Sequence, residues 1–182
     1  LAGRFNAFNL TVAIVATASM GVPLAEVIAV TNQLKPVPGR LELMEMASDI
    51  TVVIDYAHTP DALHRAITAV SEAQHHGCIW VLFGCGGDRD RGKRSEMGAV
   101  AARLADRVGV TSDNPRGEPP EAIIQDILAG CEGATPLVEV DRATAISLVI
   151  AKAAAGDTIL IAGKGHETYQ EIAGARIPFS DV

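Results

Sequence analysis

Apolar positions in the first part of the chain recur at helical spacing. Between residues 4 and 34 they form two runs. Gly21 ends the first run, and Pro23 is suited to begin a second helix. The following stretch, 35–40, holds two prolines and a glycine and suits neither a helix nor a strand. We therefore predict two helices in residues 1–37 and a domain boundary directly after them.

A second pattern begins at residue 38. Short apolar runs typical of buried strands alternate with stretches of helical spacing, as in domains built on a parallel sheet. Residues 38–182 are therefore expected to form an α/β domain with a doubly wound, mostly parallel sheet. The predicted strands are 41–46, 51–54, 79–83, 108–111, 137–140 and 158–162, and the predicted helices are about 59–73, 95–104, 121–128 and 143–154.

Composition narrows the class of protein. With 182 residues, 48% of them hydrophobic, the chain can bury one full core, and its net charge of −7 argues against a nucleic-acid partner. No apolar run approaches the roughly 18 residues that a membrane span needs. The 3 cysteines are widely spaced, without a Cys-x-x-Cys pair, which predicts reduced thiols and no zinc site. The chain starts at Leu1 without a methionine, so we expect a piece of a longer protein. Its C-terminus could be cut as well.

Most of the unusual chemistry follows the predicted strands. In an open parallel sheet these loops share one edge, where ligands bind. Carboxylates and cations occur there together, which suits a ligand that carries both signs, such as an amino acid, better than a bare polyanion. The loops are 55–60, 84–94, 112–116, 139–142 and 163–167.

Each loop also has a purely structural interpretation. Residues 111–116 could be a polar turn, and Asp55 and His58 a helix cap with a satisfied polar neighbour. The glycines of 163–167 could simply permit a tight turn. The basic residues Arg89, Arg91, Lys93 and Arg94 could form a solvated face, which is the usual fate of such runs.

The loop 84–94 resembles two nucleotide-binding motifs, and we reject both. Gly87 and Gly92-Lys93 have the spacing of a Walker A loop, but Arg94 stands where a Mg²⁺-coordinating hydroxyl belongs. The dinucleotide pattern fails because Arg89 stands where its third glycine belongs.

Six segments together are similar to the Mur ligases, in the same order and over essentially all 182 residues. The resemblance implies an ATP- and Mg²⁺-dependent ligase that activates a carboxylate as an acyl phosphate, which an amine then attacks. It makes 1–37 the tail of the central ATP-binding domain and 38–182 the Rossmann-like C-terminal domain that binds the amino acid. The family's phosphate loop and its modified lysine lie upstream, so we expect no catalytic residue, no metal ligand and no activity in this chain alone. The segments are Gly3–Asn6, Pro38–Glu42, Asp55–Asp61, Gly84–Arg94, Asp113–Arg116 and Gly163–Glu167.

Within that family, the stretch 113–116 matches the members that add meso-diaminopimelate to UDP-N-acetylmuramoyl dipeptide. The far end of this amino acid carries a carboxylate, which Arg116 can bind bidentately, and an ammonium, which suits Glu167. Arg89 and Asn114 are also suited to carboxylate oxygens. Lysine lacks the far carboxylate and would leave Arg116 unpaired in a closed pocket. By resemblance, the pocket comprises Arg89, Asp113, Asn114, Pro115, Arg116, Gly163 and Glu167, and the residues that face ATP are Arg40, Asp55 and His58.

The resemblance implies a bacterial, cytoplasmic enzyme, which we expect to be monomeric. Ser112 departs from the family pattern, in which a second aspartate is common, but its hydroxyl still offers a hydrogen bond. Two alternatives remain open. One is a lysine-adding ligase of the same family, and the other is a stand-alone regulatory domain that binds an amino acid.

Overall fold

The computed structural model describes residues 4–34, 37–44, 46, 49–74 and 76–182. Parts of the sequence argument fall outside these ranges, namely Leu1, Gly3, residues 35–36 and residue 45 of the predicted strand 41–46. The helices are α1 (Arg4–Ser19), α2 (Leu24–Thr31), α3 (Pro60–Ala73), α4 (Gly92–Leu104), α5 (Pro120–Leu128) and α6 (Arg142–Lys152). The strands are β1 (Glu42–Met44), β2 (Thr51–Asp55), β3 (Ile79–Phe83), β4 (Arg107–Val110), β5 (Leu137–Val138), β6 (Thr158–Ala162), β7 (Tyr169–Ile172) and β8 (Ala175–Pro178).

The main sheet has the strand order β1-β2-β6-β3-β4-β5. Only β1 runs antiparallel to its neighbour, so the prediction of a mostly parallel sheet is confirmed. At the ends of the strands, Asp55 of β2 pairs with Ala162 of β6, and Phe83 of β3 pairs with Val110 of β4. The pairing of β3 with β6 keeps both pairs at the same level. The four central strands therefore end level with one another, and the loops that follow them leave from one edge.

Two hydrophobic cores lie on opposite faces of this sheet. Helices α3, α4 and α5 cover one face, where Val81, Phe83 and Leu160 are fully buried. Helix α6 covers the other face against Leu82 and Ile159. Neighbouring residues of a strand point to opposite faces, so the continuous apolar runs bury both sides. This is the doubly wound arrangement that the alternation of elements predicted.

Local chemistry explains several element boundaries. Thr59 caps α3, because its side chain accepts the Ala62 N–H at 3.2 Å. Asp141 likewise caps α6 by accepting the Thr144 N–H at 2.8 Å. The predicted strand 137–140 ends at Val138, since the Val140 carbonyl instead accepts the Ser112 N–H. Helix α4 begins at Gly92 instead of 95, where Asp90 accepts the Gly92 N–H.

Sequence analysis missed the hairpin β7–β8, which follows the last predicted strand. Its strands pair antiparallel, and Ile172 forms an isolated bridge with Arg116. The hairpin thereby packs against the loop after β4.

No helix in the described part of the chain is long and apolar enough to cross a membrane.

Candidate ligand-binding site

Lys164 lies at the centre of the loops that follow β4 and β6. Its side chain is fully buried, and its Nζ donates to Asn114 Oδ1 at 3.1 Å and to Glu167 Oε2 at 3.0 Å. The Asp113 carboxylate lies 3.6 Å from the same nitrogen. A buried ammonium needs such partners because isolated burial of a charge is costly. One lysine therefore joins three of the predicted pocket residues.

Asn114 orients its neighbours through both ends of its amide. Its Oδ1 accepts hydrogen bonds from Lys164 and, at 3.0 Å, from the Glu171 N–H. Its Nδ2 donates to Glu167 Oε2 at 2.9 Å. The sequence suggested that Asn114 itself suits a ligand carboxylate, but in the structure the amide is mainly engaged in holding Glu167.

Glu167 keeps one oxygen available. Its Oε2 is engaged by Lys164 and Asn114, whereas Oε1 accepts no hydrogen bond from any described residue. Burial raises the pKa of this carboxyl, but the hydrogen bonds from Asn114 and Lys164 outweigh it and hold the pKa below its usual value. Glu167 is therefore ionised at neutral pH and can receive an ammonium.

Arg116 is held at the rim by the protein itself. Its backbone has a positive φ of 52°, and its N–H donates to the Glu171 carbonyl at 2.9 Å. Its Nη1 donates to the Gly87 carbonyl at 2.8 Å, and its Nε lies 3.3 Å from Glu171 Oε2. The sequence argument considered only a ligand carboxylate as the partner of Arg116, whereas the structure also pairs the guanidinium with Glu171 and the Gly87 carbonyl. Among the described contacts, Nη2 alone has no partner.

The other predicted pocket residues lie at the same edge. Arg89 is exposed, and Arg89 and Arg116 flank Gly86: a Cβ built there would lie 3.8 Å from Arg89 Cγ and 2.8 Å from Arg116 Nη1. Gly163 has a φ of 116°, and a Cβ built on it would lie 3.8 Å from Asp113 Cγ. Pro115 is buried, and its carbonyl oxygen leaves no room for a Cβ at Gly87.

Two fully buried arginines fix these loops, and sequence analysis assigned neither of them a role. Arg142 donates to the Ser112 carbonyl at 3.3 Å and to the Ala162 carbonyl at 3.0 Å, directly ahead of Asp113 and Gly163. It also forms an ion pair with Asp181 at 2.7 Å. The only sequence signal for it was its position after Asp141, in a loop at the strand ends.

Arg94 performs the equivalent task for the loop after β3. It donates to Glu118 at 2.7 and 2.9 Å, to Asp126 at 2.9 Å and to the Gly86 carbonyl at 3.3 Å. The solvated-face interpretation is therefore wrong for Arg94. Lys93 donates to the His58 carbonyl at 2.9 Å, so neither residue is arranged as in a Walker A loop.

The residues expected to face a nucleotide gather around Tyr56. The Arg40 guanidinium lies 4.6 Å from the centroid of the Tyr56 ring, and the His58 and His166 rings lie 4.7 and 5.5 Å from it. Arg40 and His58 are exposed. A cavity of about 680 Å³ opens between α1 and α3, with Arg40 and Asp55 in its lining.

Asp55 differs from those exposed residues. Its two oxygens accept the N–H groups of Leu41 and Ala57 at 2.9 and 2.8 Å. Burial raises the pKa of its carboxyl, and these hydrogen bonds only partly offset that effect. Asp55 thus clamps the segment before β1 onto the end of β2. No group of three His, Cys, Asp or Glu side chains within the described ranges is arranged to hold a metal ion.

Residues 39–165 match a protein-family model described as "Mur ligase, glutamate ligase domain". A UDP-N-acetylmuramoyl-L-alanyl-D-glutamate--2,6-diaminopimelate ligase from Acidovorax sp. (strain JS42) is 54% identical over 99% of this chain. A solved structure of a ligase of the same name is 43% identical, has a TM-score of 0.76 and is aligned with 100% of the chain.

A more distant solved relative is the Mycobacterium tuberculosis folylpolyglutamate synthase complexed with ADP and AMPPCP. It is 25% identical, with a TM-score of 0.68, over 90% of this chain and 38% of its own. The chain spans only 36% of the Acidovorax ligase and 37% of the solved ligase. The relatives are therefore much longer proteins than the sequence described here.

Proposed function

This chain belongs to the Mur ligase family, and we propose that it is the amino-acid-binding part of a ligase that adds meso-diaminopimelate to UDP-N-acetylmuramoyl dipeptide in peptidoglycan synthesis. The parent enzyme would use ATP to activate the dipeptide carboxylate. The proposal rests on one observation: a guanidinium with an open Nη2 and a carboxylate with an open Oε1 lie on one connected network, at Arg116 and Glu167.

The two open groups match the two charges at the far end of diaminopimelate. Arg116 would bind its carboxylate and Glu167, with the Gly163 carbonyl, its ammonium. Arg89 lies close enough to Arg116 to add a second cation. The pocket would hold the other amino group toward the activated carboxylate, so the contribution of this chain to catalysis is orientation.

We propose that Arg40, Asp55 and His58 face ATP across the interface with the central domain. The exposed Arg40 suits a phosphate, and Asp55 would act by positioning the segment that carries Arg40. A relative of the same fold, the folylpolyglutamate synthase, is complexed with ADP and AMPPCP, which supports a nucleotide as a ligand of the parent enzyme. The family implies Mg²⁺, but the described residues offer no suitable donor set, since both Asp55 oxygens are engaged.

We further propose that residues 1–37 belong to the central ATP-binding domain and residues 38–182 to the C-terminal domain. The family match begins at residue 39, and the first two helices expose large apolar side chains such as Phe8 and Ile28. On this view the chain alone does not catalyse, and the parent enzyme is a cytoplasmic monomer.

The test is ligation kinetics with the full-length protein, its dipeptide substrate and ATP. We expect turnover with meso-diaminopimelate, and we expect Arg116→Ala to raise the KM for it about tenfold to a hundredfold, since hydrogen bonds to charged groups are lost. Arg103→Ala, which removes an exposed guanidinium on α4, is the matched control and should behave as wild type. Equal turnover of lysine by the wild-type enzyme would instead favour the lysine-adding alternative.

A further inference from the structure

Glu171 places a resident carboxylate against the guanidinium of Arg116. Its Oε2 lies 3.3 Å from Arg116 Nε, and the two side chains are 29% and 21% exposed. Glu171 belongs to β7, in the hairpin that the sequence did not predict. Nothing in the resemblance or in the relatives' names assigns it a role.

The backbone fixes this carboxylate in place. The Glu171 N–H donates to Asn114 Oδ1 at 3.0 Å, and the Glu171 carbonyl accepts the Arg116 N–H at 2.9 Å. Ala173 completes the bridge by donating to the Arg116 carbonyl at 2.7 Å. Residue 171 is therefore bonded through its main chain to two pocket residues, so its side chain stays beside Arg116.

The pairing divides the guanidinium between protein and ligand. Nε faces Glu171, Nη1 donates to the Gly87 carbonyl, and Nη2 is open within the described surroundings. An incoming carboxylate can approach Nη2, but it must then share one positive charge with Glu171. Two carboxylates on one guanidinium repel each other, so the resident one weakens the binding of the incoming one.

We propose that Glu171 is a specificity-determining residue, which sets how strongly the pocket prefers diaminopimelate over lysine. The inference rests on the proposed function. Glu171 supplies a counter-charge for Arg116 from within the protein, so an amino acid without a far carboxylate does not leave Arg116 without an anionic partner. Glu171 thus lowers both the affinity for diaminopimelate and the penalty against lysine.

The experiment is Glu171→Gln in the full-length enzyme, with KM and kcat measured for meso-diaminopimelate and for lysine. We expect the KM for diaminopimelate to fall about twofold to fivefold, the range of a partly exposed ion pair, with kcat unchanged. The KM for lysine should rise or stay constant, so that the preference for diaminopimelate increases. Glu132→Gln removes an equal charge from an exposed position in the turn after α5 and should change neither value.

Two further variants make the test specific. Glu171→Asp keeps the charge but draws it back from Nε, and it should shift the preference in the same direction by less. In an Arg116→Gln background, Glu171→Gln should no longer change the preference, because the pair is already broken.

The outcomes separate this inference from the proposed function. If the wild-type enzyme does not use diaminopimelate, both are overturned. If it does, but Glu171→Gln raises the KM for diaminopimelate or leaves the preference unchanged, only the role of Glu171 is overturned.

Discussion

At the scale of single residues, the ammonium of Lys164 offsets the negative charges of the proposed pocket. Its ammonium is enclosed by Asn114, Glu167 and Asp113, two of which are acids. Without it, two carboxylates would face each other across a poorly hydrated gap, and like charges at that range repel strongly. Lys164 therefore allows the pocket to keep Glu167 ionised, although the side chain is too enclosed to bind ligand itself.

We predict that Lys164→Met in the full-length enzyme raises the KM for diaminopimelate about tenfold, and more at low pH. Burial already raises the pKa of Glu167, and Lys164 is one of the groups that lower it, so removing Lys164 moves the pKa upward. Glu167 then takes up a proton at a higher pH than in wild type and loses its attraction for an ammonium. When KM is measured at successively lower pH, the rise should begin at a higher pH for the variant than for wild type.

The matched control is Lys152→Met, which removes an exposed ammonium at the end of α6. It should leave the profile unchanged. A Lys164→Met enzyme with wild-type KM at every pH would contradict the role of Lys164.

The sequence predicted which residues form the proposed pocket but not which of them bond to one another. It placed Lys164 in a loop at the sheet edge and proposed Asn114 as a direct ligand for a carboxylate. The structure joins these two residues through a bond between positions 50 apart in sequence. Such a contact depends on the pairing of β6 beside β3, which loop composition does not reveal.

At the scale of elements, α5 anchors the glycine-rich loop after β3. Glu118, just ahead of α5, accepts two hydrogen bonds from Arg94 and one from the Asp88 N–H, and Asp126 within α5 accepts a further one from Arg94. The side chain of Arg94 holds the Glu118 carboxyl most strongly, and with the Asp88 N–H it lowers the pKa of Glu118 to about 2. Loop and helix are thus joined through an ionised carboxylate.

This contact predicts acid-sensitive stability. A carboxyl whose pKa is depressed on folding stabilises the folded state above its ordinary pKa of 4.5, and the contribution is lost as pH falls toward 2. Glu118→Gln removes that contribution. In thermal melts of this 182-residue chain between pH 3 and 7, the wild-type Tm should fall more steeply below pH 4.5 than the Tm of the variant.

Glu72→Gln, an exposed substitution on α3, provides the control and should keep the wild-type slope. If the Tm of wild type and the Tm of Glu118→Gln fall with the same slope at acid pH, the contact does not contribute to stability.

The hairpin β7–β8 shows what the pattern of apolar residues does not predict at the scale of elements. Its outer strand β8 is exposed at all four residues, so no apolar alternation marks it.

At the scale of the whole molecule, an ion pair connects the last residues of the chain to the sheet edge. The side chains of Arg142 and Asp181 are both fully buried, and Arg142 Nε lies 2.7 Å from Asp181 Oδ1. Arg142 simultaneously holds the carbonyls of Ser112 and Ala162. The C-terminal segment therefore supports both loops of the proposed amino-acid pocket.

We predict that Asp181→Ala lowers the free energy of unfolding by about 3–5 kcal/mol, because the buried guanidinium of Arg142 loses the carboxylate with which it forms an ion pair. Urea denaturation of this chain measures the change. The double variant Arg142→Met/Asp181→Leu should recover most of the loss, since it removes the unpaired charge and keeps the volume. If the double variant is as unstable as the single one, lost packing is the cause instead of the stranded charge.

The sequence by itself determined the layers of the fold and the sheet edge at which the charged loops lie. Both follow from local periodicity, turn chemistry and the level ends of parallel strands, which short stretches of chain encode. The residues of the proposed pocket came from the family resemblance. Only the tertiary structure decided which charges are paired. Lys164 with Asp113, Glu171 with Arg116, and Arg142 with Asp181 belong to loops, a hairpin and a C-terminal segment brought together by strand order. A charge's partner, and hence whether it is free for a ligand, depends on that assembly.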